Sequence, residues 1–359
     1  MKATQKLHDL GQSLWLDNIS RLLLTNGTLR RYLDELSVTG LTSNPTIFQN
    51  AINAGFYDDA IRQKVHEGKS GEELFFELAL EDLTCAADLF LPTNEATNGG
   101  DGWVSLEVSP LLAYDTAGTI KQATELHERA KCLNLFIKIP GTPEGCPAIE
   151  EAIFKGVPIN VTLLFSREQY LAAADAYMRG IERRLAAGLS PKVCSVASLF
   201  VSRWDKAVLG KVPSEIQNRF GIAIAKQTYK AYRDLLASPR WQKLAAAGVL
   251  PQRLLWASTG TKDPNAPDVL YIEALAAPDT VNTMPEETLL AFADHGKVRD
   301  VLPVDGGDAE EMLARFERAG VDKATLSLEL QREGALSFEK SWNGLLDSVA
   351  SKSKILETN

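Results

Sequence analysis

Short apolar or β-branched runs recur along the chain, and most are followed by a stretch with helical spacing, the pattern of strand–helix units around a parallel sheet. Eight such runs stand out: "SLWLD" (13–17), "VTGLTSN" (38–44), "WVSLEVS" (103–109), "LFIKIP" (135–140), "PINVTLL" (158–164), "VCSVAS" (193–198), "RLLWAS" (253–258) and "DTVNTM" (279–284). Eight strands alternating with helices predict a closed (β/α)8 (TIM) barrel, an architecture that needs about 250 residues. The chain has 359, so additional helices are expected at 45–100, as an insertion between strands two and three, and at the C-terminus. No linker rich in Pro, Gly or Ser divides it, and 1–359 reads as one domain.

Local punctuation supports the helices. "SREQ" (166–169) fits a capping box, in which Ser166 bonds forward and Gln169 reaches back, ahead of the amphipathic run "YLAAADAYMRGIERRLAAG". Gly156 has the position of a C-terminal cap after "CPAIEEAIFK". The polar stretch "LPTNEATNGGDG" (91–102) reads as a loop, and the segment 85–102 is either a lid over a site or a plain surface connection. The tail "ASKSKILETN" reads as a frayed or surface segment.

Side chains alternate between the two faces of a strand, so residue parity sorts them. In strand one Leu14 and Leu16 oppose Trp15 and Asp17; in strand three Val104, Leu106 and Val108 oppose Ser105, Glu107 and Ser109. In strand four Leu135, Ile137 and Ile139 oppose Phe136 and Lys138; in strand five Ile159, Val161 and Leu163 oppose Asn160, Thr162 and Leu164. The wholly aliphatic set must face the covering helices, because an unpartnered charge buried there costs several kcal/mol. The polar set therefore points inward, and Asp17, Asn44, Glu107, Lys138, Thr162 and Ser198 fall near the C-terminal ends of their strands, where barrel active sites are built. Singly, each has a structural reading: Lys138 as the ion-pair partner of Glu107 or Asp17, Asn44 before Pro45 as a turn residue, Thr162 as a β-former. Their coincidence at one end and on one face favours a site.

Lysine is the informative member. In apolar surroundings its ammonium is disfavoured and the free amine becomes available; moving its pKa from about 10.4 to about 7 takes on the order of 4 to 5 kcal/mol. A neutral amine attacks carbonyls and forms an imine, an electron sink for breaking an adjacent C–C bond. One carboxyl can then assist loss of water while another accepts a hydroxyl proton.

Composition narrows the alternatives. A net charge of −9 and no basic block argue against nucleic acid or an anionic membrane as partner. No apolar run approaches the ~20 residues of a membrane span, and "MKATQKLHDLGQSLWLDNIS" has no signal-peptide core, so a cytoplasmic protein is expected. The four cysteines form no CxxC pair and read as reduced thiols. His8, His66, His127 and His295 lie away from the strand ends without ligand spacing, so no metal is expected. No strand is followed by GxGxxG or a P-loop, which disfavours nucleotide chemistry.

The segments "LWLDNISR", "GLTSNPTIF", "SLEVSP", "FIKIPGT", "INVTLLFS" and "SLFVSRWD" resemble, in order, the motifs of the transaldolases, class I Schiff-base enzymes of the pentose phosphate pathway; "LWASTGTKDP" and "NTMPEETL" resemble their longer bacterial branch. The resemblance implies the following roles, position by position. Lys138 would form the Schiff base, Asp17 would take the C4-hydroxyl proton, and Glu107, through a water held with Thr162, would serve as acid and base for dehydration and hydrolysis. Asn44, Asn160 and Ser198 would hold the hydroxyls of the dihydroxyacetone unit, with Thr42 supporting the mouth of strand two. Arg203 would bind phosphate. Where many members carry Ser-x-Arg after strand seven, this chain reads Ser258-Thr259-Gly260-Thr261-Lys262, with Lys262 as the replacement cation. The implied reaction moves a dihydroxyacetone unit from sedoheptulose 7-phosphate to glyceraldehyde 3-phosphate, giving erythrose 4-phosphate and fructose 6-phosphate, with no cofactor and small sugar phosphates as the partners, by a monomer or homodimer. Two alternatives stand beside it: a fructose 6-phosphate aldolase-type lyase that releases dihydroxyacetone to water, and a non-catalytic sugar-phosphate binding protein.

Overall fold

A computed structural model describes residues 1–17, 19–43 and 45–357. Each of the eight apolar runs overlaps a strand: β1 (Gln12–Asp17), β2 (Val38–Thr42), β3 (Val104–Glu107), β4 (Leu135–Pro140), β5 (Ile159–Leu164), β6 (Ser195–Phe200), β7 (Arg253–Ala257) and β8 (Thr280–Met284). They pair in parallel in chain order, and β8 closes on β1 to complete a single (β/α)8 barrel. β6 begins two residues later than 193–198 suggests and runs on to Phe200, because Val193 and Cys194 belong to the approach to the strand. Asn44, read as the end of strand two, lies outside the described residues.

The barrel floor is aromatic and its mouth polar, which fixes where chemistry can occur. Phe136 packs between Trp15 (ring centroids 6.1 Å apart) and Trp103 (4.0 Å, stacked). Gly40 is the Cα partner of Trp15, and a Cβ there would lie 2.5 Å from the indole nitrogen, so the bulk on β1 requires the gap on β2. Below the indole, Asp101 accepts from Trp15 Nε1 at 2.9 Å and from the Ser13 hydroxyl.

Three expectations need correction. The stretch 91–102 is not all loop, since the helix Gly71–Ala96 continues through Pro92, and Asn94 Nδ2 then donates to Asp101 O at 2.8 Å. With Asp101 bonded to the start of β1, this segment lies at the floor, opposite the mouth, and does not act as its lid. Of the two readings of the tail, only the frayed one gives way: Lys323–Glu357 forms one helix whose last turns lie at the surface yet bury Val349 and Leu356, with Lys352 paired to Asp58 at 2.9 Å.

The third correction concerns β5. Simple alternation places Leu164 inside with Asn160 and Thr162, but Leu163 has φ +58° and the pairing with β6 slips between Val161 and Leu164. This bulge reverses the parity. Leu164 joins Val161 against Gly141, and Leu163 turns toward Gly334 of the C-terminal helix.

The insertion comprises the helices Pro45–Asn53, Asp58–His66 and Gly71–Ala96. They pack against the C-terminal helix, where Trp342 meets Phe75 edge-on at 5.1 Å and Phe76 at 5.6 Å. Gly334 permits the same helix to approach β5, since a Cβ there would come 2.9 Å from Leu163 Cδ2. Gln331 Nε2 fixes it, donating to Gly141 O at 3.0 Å and Leu163 O at 2.9 Å. The helix is thereby drawn to the rim of the mouth. The capping box at Ser166 and Gln169 and the left-handed Gly156 cap are both present.

Candidate active site

A cavity of about 480 Å³ opens at the mouth, and its lining includes Asp17, Thr42, Lys138, Thr162, Ser198 and Arg203. A second cavity of about 490 Å³ lies at the floor among Gln12, Trp103, Tyr232 and Arg253. Similar size does not make them equivalent, because the amine and the hydroxyl cluster open into the first.

The strand register assembles the centre. Glu107 on β3 pairs with Lys138 on β4, which pairs with Asn160 on β5, so three inward side chains stand side by side at the strand spacing of about 4.8 Å. Lys138 Nζ donates to Glu107 Oε2 at 3.1 Å, with the two side chains only 8% and 5% exposed. Burial pushes the Glu107 carboxyl above its ordinary range; Lys138 opposes that shift and Asp17 adds to it. Glu107 Oε1 and Thr162 Oγ1 are buried and have no hydrogen-bond partner among the described residues. Buried polar atoms are ordinarily partnered, so these two are sites for a ligand group or a water.

Other groups are held more firmly. The single Thr42 hydroxyl proton is donated to Asp17 Oδ1 at 3.2 Å, so Thr42 accepts from Thr283 at 2.8 Å, and this relay aims the carboxylate. Asn160 is fully buried, with Nδ2 donating to Ser105 Oγ at 3.1 Å and Oδ1 accepting from Ser198 at 2.7 Å. It therefore lies beneath the cavity surface and presents Ser198 to it.

A cationic wall stands opposite. Arg203 and Lys206, three apart on the helix Ser202–Val208, face Lys262 from the loop after β7. Burial lowers the Lys262 pKa, and the nearby Arg203 and Lys206 lower it further. Ser258, at φ +54°, holds the two segments together: its hydroxyl lies 2.9 Å from that of Ser202 and its carbonyl accepts from Ser202 N at 3.0 Å. Concentrating positive charge in a protein of net charge −9 suits an anionic ligand group.

Sequence reasoning placed Lys138, Asp17, Thr42, Thr162, Ser198, Arg203, Ser258 and Lys262 around this cavity, with Glu107 and Asn160 just beneath. It missed Lys206, Thr283, Phe200, Ser337 and Phe338. The three-residue step from Arg203 was a readable signal for Lys206, and strand parity for Thr283, which stands beside Trp15 in the register. Nothing local pointed to Phe338, which reaches the mouth from the C-terminal helix.

Comparison with known proteins agrees with this architecture. Residues 14–349 match the family model described as transaldolase/fructose-6-phosphate aldolase. The chain is 44% identical over 358 residues to a transaldolase of Parafrankia sp. (strain EAN1pec), covering 97% of each chain. It is 45% identical over 356 residues to that of Thermobifida fusca (96% of this chain, 97% of the relative). With the transaldolase of Thiobacillus denitrificans it shares 43% identity over 358 residues, 97% of this chain and all of the relative. The chain belongs to the transaldolase/fructose-6-phosphate aldolase family of enzymes.

Proposed function

We propose that this enzyme transfers a dihydroxyacetone unit from sedoheptulose 7-phosphate to glyceraldehyde 3-phosphate through an imine on Lys138. The observation that carries this reading is the buried Lys138–Glu107 pair, 3.1 Å apart, beside a cavity that Asp17 and Thr162 also line. The Lys138 amine adds to the C2 carbonyl of the ketose. Glu107, whose raised pKa lets it retain a proton, protonates the carbinolamine hydroxyl, which leaves as water. Asp17 then takes the C4-hydroxyl proton, the C3–C4 electrons flow into the protonated imine, and erythrose 4-phosphate departs from a three-carbon enamine. Addition of that enamine to the acceptor aldehyde and hydrolysis with Glu107 as base give fructose 6-phosphate and restore the amine. The imine takes up and returns the electron pair, so the sequence calls for no cofactor.

Ser198, oriented by Asn160, and Asn44 are assigned to the hydroxyls of the donor unit. The phosphate is assigned to Arg203, Lys262 and Lys206, with Ser258 bracing their loops. The reading makes the protein a cytoplasmic enzyme of small sugar phosphates, a monomer or homodimer with neither nucleic acid nor membrane as partner. Among the described residues no helix is long and apolar enough to cross a membrane. Borohydride reduction with fructose 6-phosphate, followed by peptide mass mapping, tests the reading: an adduct on Lys138 supports it, and an unmodified Lys138 under turnover conditions rejects it.

The cationic wall yields a separate prediction. Lys262→Met should raise KM for phosphorylated substrates roughly tenfold to a hundredfold with little change for unphosphorylated dihydroxyacetone donors. The variant should also melt no lower than the parent at neutral pH. A lysine whose folded pKa is depressed binds fewer protons folded than unfolded, so it opposes folding below its ordinary pKa, and removing it relieves that cost. Unchanged KM values would show that Lys262 is not a phosphate ligand.

A further inference from the structure

The geometry points to Phe338 as a positioning residue for the transfer: its ring caps the reactive nitrogen, favours the cationic forms of that nitrogen and keeps water from the three-carbon imine until an acceptor arrives. The inference rests on the proposed imine at Lys138. Phe338 lines the cavity, and its ring centroid lies 5.6 Å from Lys138 Nζ, within the range of a cation–π attraction. The wall continues through Phe200, 6.5 Å from the Phe338 ring, to Phe165, 5.2 Å from Phe200.

The placement is built rather than incidental. On the C-terminal helix, Gln331, Gly334, Phe338 and Trp342 recur three or four residues apart, so they share one face. Gln331 ties that face to the β4 and β5 ends, Gly334 lets it approach Leu163, and Trp342 anchors it among Phe75 and Phe76. Phe338 stands between these fixed points. An aromatic face attracts an ammonium or protonated imine but not a neutral amine, so it acts on the charge that the reaction creates.

The competing reaction is hydrolysis. The enamine left by the cleavage takes a proton at C3 and becomes the three-carbon protonated imine; water then adds to C2, a proton passes from that water to nitrogen, and the C2–N bond breaks, leaving free dihydroxyacetone and the Lys138 amine. Transfer requires the three-carbon species to outlive departure of the first aldehyde. A ring over the nitrogen removes one approach for water.

Phe338→Ala, Phe338→Leu and Phe338→Tyr separate these contributions. Each variant is given fructose 6-phosphate alone, to measure dihydroxyacetone release, and then fructose 6-phosphate with erythrose 4-phosphate, to measure transfer. Phe338→Ala should raise the ratio of release to transfer roughly tenfold, Phe338→Leu by less, and Phe338→Tyr should behave as the parent. A merely loosened helix would not restore the parental ratio in the Tyr variant while leaving it raised in the Leu variant. An adduct on parental Lys138 with all variants matching the parent in ratio would overturn this inference alone. Absence of an adduct in the parent would overturn the lysine reading and this inference with it.

Discussion

Lys138→Met is expected to lower transfer at least about ten-thousandfold and to abolish borohydride trapping while the barrel still folds. Methionine keeps the length and apolar stem of lysine, so the interior stays filled. On the proposed mechanism it lacks the amine nitrogen that attacks the carbonyl and forms the imine, and Lys206 and Lys262, the other lysines lining the cavity, belong to the cationic wall on the side of β6 and β7. The variant also removes the only ion-pair partner of Glu107 among the described residues. Glu107 already has its pKa raised by burial, and without Lys138 it should be held higher still.

A carboxyl whose folded pKa exceeds its unfolded value binds more protons folded than unfolded between the two values. Its contribution to stability is therefore highest below the unfolded pKa and falls as pH rises through that window. Melting temperature should drop from about pH 4 upward more steeply in Lys138→Met than in the parent, as calorimetry would show. A parallel pH profile would mean that Lys138 does not control Glu107. Retained transfer would mean that the nucleophile is elsewhere.

The barrel was legible because parallel strands buried on both faces read as apolar runs, and because a lysine or glutamate within such a run has one tolerable direction. Parity alone put Glu107 and Lys138 inside, and the register then set them in adjacent positions. The same reasoning failed at Leu164, where a bulge inserts a residue without a compositional signal. It also failed at 91–96, read as part of a polar loop, where the helix continues through Pro92. Proline costs a helix a backbone donor, yet tertiary packing of the long apolar helix carries the chain through it.

The C-terminal helix shows a different limit. Phe338, Trp342, Leu345 and Val349 recur at helical spacing, so an apolar face was readable, but Lys and Ser in the last ten residues suggested an exposed tail. That the face lies at the barrel mouth depends on Gln331, which reaches carbonyls of Gly141 and Leu163 at separations of 190 and 168 residues. Contacts of that range leave no local trace. Glu107, Lys138 and Thr162, placed by one strand's alternation, were found, and Thr283 was within reach of the same reasoning; Phe338, placed by the docking of a distant element, was not.

Asp17→Asn should separate formation of the imine from breakage of the carbon chain. The substitution preserves size, and the Thr42 hydroxyl can still donate to the side-chain carbonyl as it does to Asp17 Oδ1. Lys138 and Glu107 remain paired on β3 and β4, so the amine should still condense with the ketose. On the proposed mechanism the variant loses the acceptor for the C4-hydroxyl proton, and kcat should fall roughly a hundredfold to ten-thousandfold with KM little changed. Borohydride then gives a second readout, because reduction should leave the entire ketose phosphate on Lys138 instead of a three-carbon unit. A rise in KM with kcat intact would instead make Asp17 a binding residue, since an interaction present equally in ground and transition states affects affinity alone. The mass of the trapped species distinguishes the two roles: a whole ketose shows that the chain was held but not cut, and a three-carbon adduct shows that another group takes the proton.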